Sequence, residues 1–277
     1  MSNPELHARI RYLIPGVDKP VYIASRGGAD AALHIGAEFE DREVLIRNAR
    51  LLDPVASLDI QGFTLLPHAT RTEDFYALES IQPAYDDELT ELVLSVVDGV
   101  EALVFDHTLR SDSREIRARQ ITREPAAVVH NDYTDASAAR RLRDLLPAKE
   151  AQRRLQHRFC IINVWRSIRG PVLTSPLTCC DAATIEATDL VASERRARER
   201  TGELELVSWN PAHRWYYYPE MQRNEVLLIK TFDSAKNGIA RRSIHTAFSN
   251  PLAAQDPPAR ESIESRLLVF FGGEGQQ

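Results

Sequence analysis

Apolar and polar positions alternate along much of this chain, and two stretches switch to helical spacing. Arg9–Leu13 and Val21–Ala24 read as short strands around a Pro/Gly break, and Glu43–Leu52 and Gly62–His68 read as two more. Asp87–Val100 carries apolar residues three and four apart and predicts an amphipathic helix. Glu101–Leu109 and Pro125–His130 return to strand. Thr134–Leu146 predicts a second helix, capped by Thr134 or Asp135, with Ala138, Leu142 and Leu145 as its buried stripe. Lys149–Gln156 continues in helix. Beyond that point strands dominate: Arg158–Arg166, Trp215–Pro219, Glu225–Phe232, Ser243–Phe248 and Ser262–Phe271. Leu190–Thr201 is dense in charge and reads as a helix or loop within this series. The chain is expected to form one domain over 1–277, with helices decorating 1–124 and a strand-rich part over 125–277 that a closed or sandwiched β architecture would bury.

Charge and cysteine usage narrow the classes. The net charge is −6, which argues against a polyanion such as nucleic acid as partner. Cys160, Cys179 and Cys180 offer no CxxC pair, so neither a disulfide scaffold nor a structural zinc site is indicated. No run approaches the ~18 apolar residues of a membrane span, and the first residues do not read as a signal peptide. The expected setting is the cytoplasm, with a small-molecule substrate and no membrane partner.

Chemistry concentrates at His130-Asn-Asp132. In extended chain, residues two apart project from the same face, so one imidazole and one carboxylate reach the same ion. His245, embedded in a strand, is the candidate third ligand. Two histidines and a carboxylate hold iron(II) and leave positions open for dioxygen and a bidentate co-substrate. Taken singly, each residue reads more simply as a core histidine, a helix cap or a surface pair. A 2-oxoglutarate co-substrate needs a cation for its far carboxylate, and the planar fork of arginine suits this. Arg260, with Ser262 two residues on, or alternatively Arg266, would supply it.

Several blocks together resemble a known family. They are His130-Asn-Asp-Tyr-Thr, Asn163-Val-Trp-Arg166, His213-Arg-Trp-Tyr-Tyr-Tyr-Pro-Glu-Met221, Glu225 to Ser234, His245-Thr-Ala-Phe and Pro258 to Arg266. In order and wording they look like the 7α-cephem-methoxylase-related hydroxylase/desaturase group of iron(II)- and 2-oxoglutarate-dependent oxygenases. The resemblance runs from about Gly62 to Phe271. It implies a mainly β fold with flanking helices around a double-stranded β-helix, the cupin-like jelly roll. It implies that His130, Asp132 and His245 are the metal-binding and catalytic set, with iron(II), 2-oxoglutarate and dioxygen as cofactors. Asn163 would assist the co-substrate, and Arg166, Lys230, Asp233, Ser234 and Tyr217 would approach the substrate. The aromatic run around Tyr217 is read first as core. If the protein self-associates, a homodimer is expected. Access to the pocket is expected through polar loops at Thr174–Asp181 and Ser234–Arg242. A zinc hydrolase or a non-catalytic jelly-roll binding protein are the competing readings.

Overall fold

The computed structural model describes residues 4–16, 19–197 and 200–272. Two sheets face each other. One is five-stranded, ordered β5 (Phe63–Pro67), β13 (Glu225–Asp233), β8 (Phe159–Ser167), β15 (Glu261–Phe270) and β6 (Glu101–Ser111). The other has ten strands, ordered β1 (Glu5–Leu13), β4 (Phe39–Asn48), β12 (Trp215–Tyr217), β9 (Leu177–Cys180), β14 (His245–Ala247), β7 (His130–Asn131), β11 (Arg200–Val207), β10 (Leu190–Ala197), β2 (Val21–Ile23) and β3 (Leu33–Ile35). Between the sheets, Trp165, Leu227 and Ile229 meet Cys179, Tyr216 and Ala247 in one apolar cluster. The larger sheet curls: β1 bridges Val128 and Ser208, the segments beside β7 and β11. This is the jelly roll that the resemblance implies, mostly sheet with few helices.

One long helix covers the outside of the smaller sheet. α1 (Leu78–Val96) lays Tyr85, Leu89 and Val93 against Ile162, Val164, Leu228 and Leu267. It begins nine residues before the predicted Asp87 and runs through Pro83, which sits on its exposed side. α2 (Arg114–Gln120) follows β6. α3 (Asp135–Leu145) is capped by a reciprocal Thr134–Ser137 box and packs Ala138 and Leu142 on Phe159 and Phe232. α4 (Ala148–Arg154) follows directly.

Two expectations fail here. Leu190–Ala197 is strand, not helix or loop: β10 and β11 pair from Leu190↔Val207 to Ala197↔Arg200, and the part of the expectation at 198–199 lies outside the described residues. Its alternation is hidden because an inward position holds an arginine instead of an apolar residue. Thr174–Asp181 is not simply an access loop either. Leu177–Cys180 is β9, wholly buried between β12 and β14, with Thr178 and Cys180 fully covered.

Candidate metal centre

β7 and β14 pair at His130↔His245, which brings the two rings to 4.6 Å between centroids. Asp132 follows β7 by one residue and is pinned from both sides. Thr134 caps α3 immediately after it, and the buried Asn131 donates to the Tyr133 carbonyl and to Glu205 at 2.8 Å each. One ligand atom each from His130, Asp132 and His245 lies within 4.8 Å of the others, a group able to share one ion.

Proton placement favours a metal. His130 Nδ1 lies 2.8 Å from the Val128 carbonyl, and His245 Nδ1 lies 3.2 Å from the Ser243 carbonyl. A carbonyl only accepts, so each Nδ1 carries the hydrogen and each Nε2 keeps its lone pair. His245 Nε2 is buried and has no partner. His130 Nε2 sits 3.8 Å from Asp132 Oδ1. Burial, then the neighbouring His245, pushes His130 down to about 4, so it stays neutral and able to ligate. Gly62 supports this arrangement. Its φ is +84°, and a Cβ there would come within 2.9 Å of the Ser243 side chain, displacing the carbonyl that fixes His245.

The other oxygen of Asp132 is held by the smaller sheet. Opposed residues in a ladder share a face, so Asp106, Arg266 and Asn163 form one inward row, and Thr108, Glu264 and Trp165 the next. Asn163 Nδ2 donates to Asp132 Oδ2 at 2.7 Å and Arg266 Nε donates to it at 3.0 Å. Burial opposes the charge on Asp132, but Arg266 and the two imidazoles outweigh it and hold its carboxyl far below the usual range. Arg266 also binds Asp106 at 2.6 Å and pairs with Glu264. Its donors face three carboxylates, so it braces Asp132 and has no fork to spare. Arg260 does. It is buried and lies over Trp165 at 5.0 Å from the ring centroid. Nε donates to Ser262 Oγ at 3.2 Å, one Nη donates to the Ser175 carbonyl at 2.6 Å, and Nη2 is buried without a partner.

The remaining expected residues lie elsewhere, for a geometric reason. Residues three apart on a strand point to opposite faces, so Arg166 cannot join Asn163. It turns beneath α1, donates to His68 at 2.5 Å and approaches Glu88 at 3.9 Å. Lys230 opposes Ile162 and also faces outward, to Asp59 at 2.7 Å and Asp233 at 3.1 Å. Asp233 in turn holds Arg158 at 2.8 Å, and Ser234 Oγ accepts the Phe159 amide at 2.9 Å. Tyr217 points away from the facing sheet, edge-on to Phe248 at 5.6 Å, while Tyr216 and Tyr218 face inward. None of these five lines the cavities beside Asp132. The segment after Asp233 up to Ser243 does lack strand or helix, as expected of a loop, and Arg241 and Arg242 both bind Asp135 there. Sequence reasoning did not find Asp106, Asn131 or Glu205. Each is assigned by ladder pairing across the molecule, which local patterns do not reveal.

Two cavities adjoin the triad. One of about 300 Å³ is bordered by Asp132, Tyr133, Arg123, Arg195 and Arg266. Its neighbour, about 190 Å³, shares Asp132 and the same three arginines and adds His130, Tyr22, Leu204 and Leu206.

A jelly roll carrying two histidines and an aspartate on and just after neighbouring strands defines the class of mononuclear metal-dependent oxygenases. Comparison with known proteins supplies the family. A family model described as an oxidoreductase/YMDC permease-like domain matches residues 10–270. The hydroxylase/desaturase CTB9 of Cercospora beticola is 32% identical over 98% of this chain and 90% of its own length. The Fe(II)/2-oxoglutarate-dependent dioxygenase NvfI of Aspergillus novofumigatus is 33% identical over 83% of this chain and 84% of its own. A solved structure of the iron and alpha-ketoglutarate-dependent endoperoxidase NvfI superimposes with a TM-score of 0.84 at 27% identity, covering 98% of this chain and all of that one. This chain belongs to that hydroxylase/desaturase family of iron(II)- and 2-oxoglutarate-dependent dioxygenases. No helix among the described residues is long and apolar enough to cross a membrane.

Proposed function

We propose that this protein oxidises a small molecule at a C–H bond, with His130 Nε2, His245 Nε2 and Asp132 Oδ1 holding iron(II). The observation that carries this reading is the pair of imidazoles locked through Nδ1, leaving the buried Nε2 of His245 without a partner beside Asp132. When bound, iron(II) with 2-oxoglutarate and dioxygen supplies the oxidative chemistry. The chain's own residues position it. Asn163 and Arg266 fix one oxygen of Asp132 and leave the other for the metal. Arg260, with Ser262 beside it, offers its unpartnered Nη2 to the distal carboxylate of 2-oxoglutarate. Trp165, beneath Arg260, and Cys179, opposite His245, are both buried.

The test is succinate formation from 2-oxoglutarate after anaerobic loading with iron(II) and exposure to oxygen. Iron should support turnover and zinc in the same triad should not, because zinc has no redox chemistry. Turnover with zinc, or hydrolysis of esters or amides without 2-oxoglutarate, would favour a hydrolase.

A further inference from the structure

Beside the triad, positive charge exceeds what the protein balances. Five arginines line the larger cavity: Arg123, Arg141, Arg195, Arg200 and Arg266. Only Arg266 has a carboxylate partner among the described residues. The acidic groups on the same wall are already engaged. Asp106 and Asp132 are bound by Arg266, and Glu203 by Lys19 at 2.7 Å. Arg141 donates weakly to the Phe105 carbonyl at 3.4 Å and lies over its ring.

Arg123, Arg195 and Arg266 are common to both cavities, and of the three Arg123 and Arg195 are the two without a carboxylate partner. Neither side chain makes an ion pair or hydrogen bond with any described residue. Arg195 is placed by β10, where it opposes Tyr22 of β2, while its neighbour Arg196 turns outward and pairs with Glu194. Arg123 bridges Arg110. Burial, and then adjoining guanidiniums, makes both cations harder to keep charged. Removing cations from water without a counter-charge is costly, and a fold that keeps them does so where a ligand supplies the missing anion. The smaller cavity has an apolar stretch, Tyr22, Leu204 and Leu206, beside His130; its polar wall adds His34, Arg110 and Glu124, whose carboxylate accepts from the Ala32 amide at 2.9 Å.

We infer that the substrate is an organic acid: its carboxylate sits between Arg123 and Arg195, and its apolar skeleton lies along Tyr22, Leu204 and Leu206, with a C–H bond presented to the metal. This rests on the proposed iron and 2-oxoglutarate reading. It adds the substrate's charge and orientation.

The test uses the full chain loaded anaerobically with iron(II) and 2-oxoglutarate. The visible charge-transfer absorption of that complex reports co-substrate binding, and its perturbation reports substrate binding. The probes are aromatic and alicyclic carboxylic acids, each titrated beside its methyl ester. Acids should perturb the absorption at concentrations at least roughly thirtyfold lower than their esters, the lower bound for losing a buried charge pair. In Arg123→Gln/Arg195→Gln this preference should vanish. The midpoint for 2-oxoglutarate should match the wild type, and the melting temperature should not fall, since no native ion pair is broken. Esters that bind as well as acids overturn the inference. So do acids that all fail to bind, a preference that survives in the double variant, or a double variant that loses 2-oxoglutarate instead. If the wild type itself shows no charge-transfer absorption, the iron reading fails. Calorimetric titration of the same acid and ester pairs into the metal-free protein then decides the anion site alone, by the same acid preference and its loss in the double variant.

Discussion

Two sets of arginines meet at the Asp132 cavity, the buried Arg266 and the half-buried Arg123 and Arg195, and they differ in what balances them. Arg266 faces Asp132, Asp106 and Glu264 at once. Arg123 and Arg195 share its cavity and form no ion pair with any described residue. A guanidinium enclosed by three carboxylates has its geometry fixed by the fold, so its work is structural: it aims a ligand. Unbalanced guanidiniums lower stability and are kept for what they bind. Arg260 lies between these extremes, satisfied by two oxygens and with one nitrogen left over. Location near a metal site therefore does not define a residue's role; the state of its hydrogen-bond partners does.

The largest expected effect breaks the balanced set. Arg266→Leu leaves Asp106, Asp132 and Glu264 together without their cation and should cost roughly 3–5 kcal/mol of stability, as in other broken buried pairs. Metal affinity should drop about 10–100-fold because Asp132 loses its brace. Thermal unfolding and iron titration check both. An Arg266→Leu protein of normal stability and metal affinity would refute the positioning role.

Next comes proton linkage at the ligands themselves. In metal-free protein, burial and then His245 depress His130 from its ordinary 6.5 to about 4. The unfolded chain takes up the proton first as pH falls. The stability is therefore fully present above about pH 6.5 and declines toward pH 4, by roughly 3 kcal/mol for this group. Unfolding midpoints measured across that window should fall less steeply in His130→Gln.

Arg260→Leu sharpens the comparison at the intermediate case. It should raise the apparent KM for 2-oxoglutarate roughly ten- to a hundredfold, the worth of a charge-assisted hydrogen bond. Iron affinity should hold, the reverse of Arg266→Leu. A variant with unchanged KM would place the co-substrate anchor elsewhere.

How much of this was legible beforehand follows the range of each interaction. His130, Asp132 and His245 are marked by spacing and by strand context, and the structure brings them together. The long strands β8, β13 and β15 follow from their apolar runs. β10 was hidden because Arg195 occupies an inward position where periodicity expects an apolar residue; the feature that obscured the strand is the one that gives the cavity its charge. What distinguishes Arg266 from Arg260 includes Asp106, more than 150 residues from Arg266 in sequence and opposite it in the ladder. Arg166 was misplaced for a reason that sequence did contain: strand parity already separates it from Asn163.

The smallest expected effect tests that parity. Lys230 looks like a substrate-binding cation from sequence, since it interrupts the apolar strand Glu225–Phe232. In the structure its ammonium lies on the outward face, between Asp59 and Asp233, and Asp233 retains Arg158 as a second partner. Lys230→Met should therefore cost only about 1–2 kcal/mol of stability, at the low end for a charged hydrogen bond because Arg158 still neutralises Asp233. The KM for 2-oxoglutarate and the acid preference at Arg123 and Arg195 should stay at wild-type values, because the strand itself separates Lys230 from both cavities. Melting curves measure the first quantity, and titration of the iron-loaded protein the second. A tenfold loss of co-substrate or acid affinity, with the fold intact, would mean that Lys230 reaches the inner face and that the two sides of β13 are not independent.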